Sequence, residues 1–278
     1  MRPYYSHEIA ACFLHPEIQQ LEAPTQEALL IHHLFAYLDF TTHLELGPVN
    51  DALLLIWRGH RLPALPEQCR QAALRIYTDE AAHAEMCDDF IRQTVNATGL
   101  QPARGATPAF LGRLDAILED AHHADVDLLR LFFAIVSETL ITGTLHRLAT
   151  DRSIHDSVRQ LALDHAQDEA RHNAVFRQIF QQVWPGLDRE TQIRVGSTIP
   201  AIIRAYLDFD LETFETVFRI TKHDLPNASH TLREIEILHN NNSLLRSDAR
   251  PVVQLLNSVG SLDRDAIHSA FVRAQLIS

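Results

Sequence analysis

Apolar residues recur along nearly the whole chain at intervals of three and four, the spacing that lines one face of an α-helix. The pattern predicts a first long helix over residues 25–59. It is bent near Gly47-Pro48, where a proline removes a backbone donor. Two prolines in Arg61-Leu-Pro-Ala-Leu-Pro66 mark a turn. A second helix follows over 67–98, and residues 101–107 read as a linker. A third helical stretch, 108–150, breaks near His122-His123. Residues 151–155 turn into a fourth helix, 157–183, which Trp184-Pro-Gly186 is expected to end. Shorter helices are expected over 189–209, 211–220, 229–240 and 266–277. No segment alternates with the two-residue period of a strand. The expected fold class is therefore all-α. A single domain spans residues 1–278, with a four-helix bundle core over about 25–185 and a helical tail over about 186–278.

Composition narrows the function more than the fold. Hydrophobic residues make up 46% of the chain, enough for a substantial core. Only 9 glycines occur, which argues against barrels, sandwiches and phosphate-binding loops. A net charge of -12 argues against a basic face for nucleic acid and gives no reason to expect binding to an anionic membrane. The apolar run 128–136 carries Arg130 and is too short to span a bilayer. Cys12, Cys69 and Cys87 are scattered and odd in number, so a reducing, cytoplasmic setting is expected. The 17 histidines point modestly toward metal.

Glu-x-x-His places a carboxylate and an imidazole on one helix face, where both reach one metal ion. The string occurs at Glu80–His83, Glu169–His172, Glu119–His122 and Glu236–His239, so by itself it is weak. Position in the hairpins separates the first two. Glu45 and Glu80 lie equidistant from the proline turn, with their midpoint between Leu62 and Pro63. Glu138 and Glu169 lie equidistant from the other turn, with their midpoint between Ser153 and Ile154. Each pair sits level across an antiparallel hairpin, about 17 and 15 residues deep, or roughly 26 and 23 Å at 1.5 Å per residue. Glu119 and Glu236 have no such partner. Glu45 and Glu138 are read as ligands against the plainer alternative of exposed helix glutamates.

Asp79 and Asp168 each precede a Glu of the motif. They are placed to hydrogen-bond a histidine on another helix and fix its tautomer, with Arg171 available to pair with one of them. His165, Glu169 and His172 fall on one stripe. His165 reads equally as a buried core histidine or as a third imidazole ligand. Carboxylates facing one another in a core repel, and two divalent ions would cancel them; this donor set suits iron or manganese.

The order Glu45, Glu80-x-x-His83, Glu138, His165-x-x-x-Glu169-x-x-His172 resembles the para-aminobenzoate N-oxygenase family of ferritin-like diiron enzymes. The intervals match over residues 25–185; the tail is not diagnostic. The resemblance implies a ferritin-like bundle and a homodimer. It implies two iron ions held by Glu45, Glu80, His83, Glu138, His165, Glu169 and His172. It also implies activation of O2 to carry an amine through hydroxylamine and nitroso stages, in some cases to nitro. No flavin or nicotinamide motif is visible, so an external electron donor is expected. The substrate expected is a small amine, free or carrier-tethered.

Two other readings stand beside this one: a ferritin-like hydroxylase or desaturase acting on carbon, and an iron-storage protein. His32-His33, His122-His123, His146, His155 and His268 are expected on the surface or a helix face. Tyr37, Tyr77 and Tyr206 read as packed side chains before pocket residues, and Cys87 as a small buried hydrophobe.

Overall fold

The computed structural model describes residues 2–59, 62–103, 107–221, 228–241 and 243–277. Arg61 of the expected proline turn and residues 104–106 of the expected linker lie outside the described residues. Among the described residues there is no strand, and the fold is all-α, as the periodicity predicts.

A single helical turn α1 (Pro16–Gln19) precedes the first bundle helix α2 (Ala23–Leu44). α2 runs through a wide π-helical turn, Glu45–Val49, into α3 (Asn50–Arg58). Pro48 has no N–H and its ring crowds the carbonyl four residues back, so the α-helical bond pattern cannot continue there. The chain absorbs the conflict at Gly47, whose φ of -100° and ψ of -106° are non-helical. α4 (Glu67–Thr98) returns antiparallel. α3 and α4 both stop at a glycine with positive φ, Gly59 at +71° and Gly99 at +75°.

The crossover contains α5 (Ala109–Asp120) and a 3₁₀ turn, His123–Asp125, at the break expected near His122. The second hairpin is α6 (Val126–Thr150) and α7 (Asp156–Gly186), which pack along their whole length. The middle of α6, residues 131–141, is buried on all sides and is apolar there except for Ser137, Glu138 and Thr139. The segment His123–Thr150 is long and apolar enough to cross a membrane by composition, yet 78% of its most apolar window is buried inside the bundle.

α8 (Arg189–Leu207), α9 (Leu211–Ile220), α10 (Ala228–Asn240), α11 (Ser243–Asn257) and α12 (Asp265–Arg273) form the tail. Two expectations change. α7 does not stop at Val183. It continues through Trp184-Pro-Gly186, with the buried Trp184 stacked against Phe180 and its carbonyl accepting from Gln192 Nε2 at 2.7 Å. α11 was not foreseen. Pro251 interrupts its pattern, although Leu245, Ala249, Val252, Leu255 and Leu256 bury one helical face. The tail is docked closely: a Cβ on Gly196 of α8 would sit 2.5 Å from Ile267 of α12 and 2.9 Å from Trp184.

Candidate metal centre

α2 delivers Glu45 at its last turn, α4 delivers Glu80 and His83, α6 delivers Glu138, and α7 delivers His165, Glu169 and His172. All seven residues are at most 4% exposed; six of them gather into two groups, and Glu138 belongs to neither, its Oε2 lying 3.8 Å from His172 Nδ1. Two groups form, Glu45-His83-His165-Glu169 and Glu80-His83-Glu169-His172. Within each, one nitrogen or oxygen of every residue lies within 4.8 Å of the others. His83 and Glu169 belong to both.

The distances show how the rings face inward. His165 Nε2 lies 3.0 Å from Glu45 Oε1 and 3.2 Å from Glu169 Oε1. His172 Nδ1 lies 3.0 Å from Glu80 Oε1, 3.2 Å from Glu169 Oε1 and 3.8 Å from Glu138 Oε2. His83 Nδ1 lies 3.3 Å from Glu80 Oε2 and 3.4 Å from Glu169 Oε1. The outward ring nitrogens cross between the motifs. His83 Nε2 donates to Asp168 Oδ2 at 3.3 Å, and His172 Nε2 donates to Asp79 Oδ2 at 3.2 Å. Each aspartate thus holds the histidine of the opposite motif, and Arg171 donates to Asp168 from the surface.

Protein groups alone do not satisfy this centre. Glu45 Oε1 and Oε2, Glu80 Oε1, Glu138 Oε2, Glu169 Oε2 and His172 Nδ1 are buried without a hydrogen-bond partner. Several lie near a ring nitrogen in distance but not in hydrogen-bond angle. A buried acceptor left unpaired costs about 1–3 kcal/mol, more when charged. Donors that are unsatisfied by protein, inward-facing, and mixed carboxylate and imidazole fit a pair of divalent cations.

Without metal, protons do the balancing. Burial pushes Glu45 up to about 7 and holds Glu138 well above the carboxylate range, the latter aided by Glu169 and Glu80. Burial works to lower His165 and His172. Their carboxylate partners outweigh it and hold them at about 10 and about 11. Burial likewise works to raise Glu169, but its hydrogen bond with His165 and the positive charges of His165 and His172 bring it below the usual range. Metal must displace these protons, so affinity falls as pH falls.

The other expectations sort clearly. Glu119 is exposed, and His239 donates to the carbonyl of Leu207, so neither remaining Glu-x-x-His string assembles a centre. His32 and His33 are not at the surface but buried in α2, at 3% and 6% exposure. His122, His123, His146 and His268 are exposed. All three cysteines are buried free thiols. Tyr77 sits at the surface, whereas Tyr37 and Tyr206, expected first as packing residues, line a cavity of about 250 Å³. Phe40, Phe110, Phe209 and Phe214 add to its apolar wall. Apart from these tyrosines, its lining carried no sequence signal, because it is drawn from the N-terminus, α2, α5, α6 and the tail. None of the seven Glu and His side chains lines this cavity; Tyr37 links the two, since it also borders a small apolar void lined by His165. Tyr206 is raised by burial and then by the charges of Glu138, Glu169 and Glu45, and Glu45 also acts on Tyr37.

No curated protein was found to match the chain. A family model described as P-aminobenzoate N-oxygenase AurF matches residues 1–260, which takes in the bundle, the converging Glu and His side chains and most of the tail. The chain therefore belongs to the P-aminobenzoate N-oxygenase AurF family, ferritin-like diiron oxidoreductases.

Proposed function

We propose that the chain binds two iron ions through Glu45, Glu80, His83, Glu138, His165, Glu169 and His172 and uses O2 to oxygenate the nitrogen of a primary amine. The observation that carries this reading is the buried set of unpaired carboxylate oxygens facing three imidazoles beside a cavity. The iron pair, when bound, supplies the activation of O2. The first oxidation converts R-NH2, O2, two electrons and two protons to R-NHOH and water. The electrons come from an external donor.

The residues do the rest. Glu45 and Glu138 neutralise metal charge from the first helix of each hairpin. Asp79 and Asp168 keep the Nε2 protons of His172 and His83 turned outward, which leaves each Nδ1 free for metal. Tyr37 and Tyr206 line the cavity, and the phenylalanines keep water scarce. Family membership favours nitrogen over carbon as the site of oxidation. The cavity gives a small amine a seat, which iron storage would not need.

Protein loaded with ferrous iron under anaerobic conditions should hold about two irons per chain and, once reduced, should consume O2 faster with a suitable primary amine. Elemental analysis and an oxygen electrode with a panel of amines test this. One zinc per chain with no iron uptake would sink the diiron assignment, and hydroxylated carbon products would favour the carbon reading.

Asp168→Ala should lower iron affinity or turnover about 10- to 100-fold, because the His83 ring loses its outer anchor. Unchanged iron content with unchanged turnover would count against that role.

A further inference from the structure

The charge of the cavity wall separates this chain from an enzyme built for an aminobenzoate. Two arginines line the cavity, and both are engaged. Arg113 donates to the carbonyls of Asp208 at 2.8 Å and Phe209 at 2.6 Å. Arg147 pairs with Asp248 through Nη1 at 3.0 Å, and its buried Nε has no hydrogen-bond partner. Asp208 is matched by Arg204 at 2.8 Å.

Among the described residues, no arginine or lysine pairs with Asp39 or Asp210. Asp210 accepts from the backbone N–H groups of Ala109 and Thr213, which satisfy its oxygens without cancelling its charge. The carbonyls that Arg113 meets likewise leave its charge in place, so among the described residues the wall holds one such cation against the carboxylates of Asp39, Asp210 and Glu8. His43 lies 3.9 Å from Asp39 on the same helix. Burial raises Asp39, His43 works against that rise, and Asp210 adds to it. Exposed Glu8 adds a further carboxylate at the wall.

An independent feature marks the cavity as a ligand site. His33 lines it, is 6% exposed, and its Nε2 has no partner. Burial holds this imidazole neutral, pushed down to about 3, so it offers a hydrogen bond and no positive charge. The Tyr37 hydroxyl is likewise buried without a partner.

We propose that the cavity selects an amine whose far end is cationic, a diamine-type substrate with one nitrogen at the metal centre and its second, positively charged group received by Asp39 and Asp210. The proposal rests on the N-oxygenation reading for the identity of the reacting nitrogen. A carboxylate in the same place would meet like charge from the wall.

The test is a matched pair, 4-aminobenzylamine and 4-aminobenzoate. They share the ring and the aniline nitrogen and differ in the sign of the far group. Calorimetric titration into anaerobic, iron-loaded protein should show the benzylamine binding about tenfold or more tightly. Asp39→Asn should remove most of that preference and leave the affinity for neutral aniline unchanged.

Equal binding, tighter binding of the benzoate, or no binding of either would overturn the proposal. Tighter benzoate binding would mean that Arg147 leaves Asp248 for the substrate. Oxygen uptake in parallel separates the two readings. Selective binding of the benzylamine without amine-dependent uptake would support the cavity assignment and sink N-oxygenation. Oxidation of both compounds without charge preference would do the reverse.

Discussion

Glu169→Gln should reduce iron from about two per chain to well below one and lower amine oxidation by more than about 100-fold, beyond the effect of losing an outer hydrogen bond. Glu169 is the one carboxylate shared by both groups of the centre, and its Oε1 lies within 3.4 Å of an imidazole nitrogen of His83, His165 and His172. The amide keeps the shape and loses the charge. A single substitution therefore weakens both metal positions. In metal-free protein it also leaves the protonated His165 and His172 short of a counter-charge. Breaking a buried pair this way costs about 3–5 kcal/mol, measurable by chemical denaturation. Iron content near two per chain in this variant would show that Glu169 is not the shared ligand.

His165→Ala should behave differently: nearly full iron content but amine oxidation reduced at least about tenfold. Six donors remain, enough for a two-metal site, and alanine suits the middle of α7. The structure points His165 Nε2 at Glu45 and Glu169 and lays its ring against that of His83, with centroids 4.0 Å apart. Its opposite side borders a small apolar void shared with Leu34, Tyr37 and Cys87. If His165 were only a packing residue, its loss would lower the melting temperature and leave oxygen chemistry intact. Stopped-flow absorption of the reduced variant mixed with O2, beside a thermal melt, distinguishes the two. Unaltered absorption changes and unaltered amine oxidation would remove His165 from the ligand set and restore the carbon-oxidising reading to parity.

The convergence of the seven side chains was legible because an antiparallel hairpin turns sequence distance from the turn into height. That rule pairs Glu45 with Glu80 and Glu138 with Glu169; Glu45, Glu80 and Glu169 fall in the two buried groups, and Glu138 Oε2 lies 3.8 Å from His172 at their edge. The crossing of Asp79 and Asp168 to the opposite histidines was readable as a possibility from their place beside each Glu. Other features were not readable. α11 carries a proline within a helical apolar pattern, and local rules weigh the proline more heavily than the packing that tolerates it. His32 and His33 look like surface residues in the sequence, yet both are buried in the core. The cavity depends on segments more than 200 residues apart, from Tyr5 to Asp248, and nothing local announces that they meet.

The wide turn at Glu45–Val49 also bears on how this chain compares with its relatives. It holds one residue more than an α-helical turn would use, inside an otherwise continuous rod. Deleting one residue between Leu46 and Pro48 would not shorten a loop; it would re-index a helix. The shortened turn would close to a regular α-helical one, leaving Glu45 and the faces of α3 where they are; an α-helical turn that kept the extra residue would instead rotate every residue of α3 by about 100°. Ala52, Leu53 and Ile56, now buried, would swing off the core. A relative lacking the bulge should therefore align only with a single-residue gap in mid-helix, and ungapped alignment would misassign every α3 position while leaving the glutamate correct.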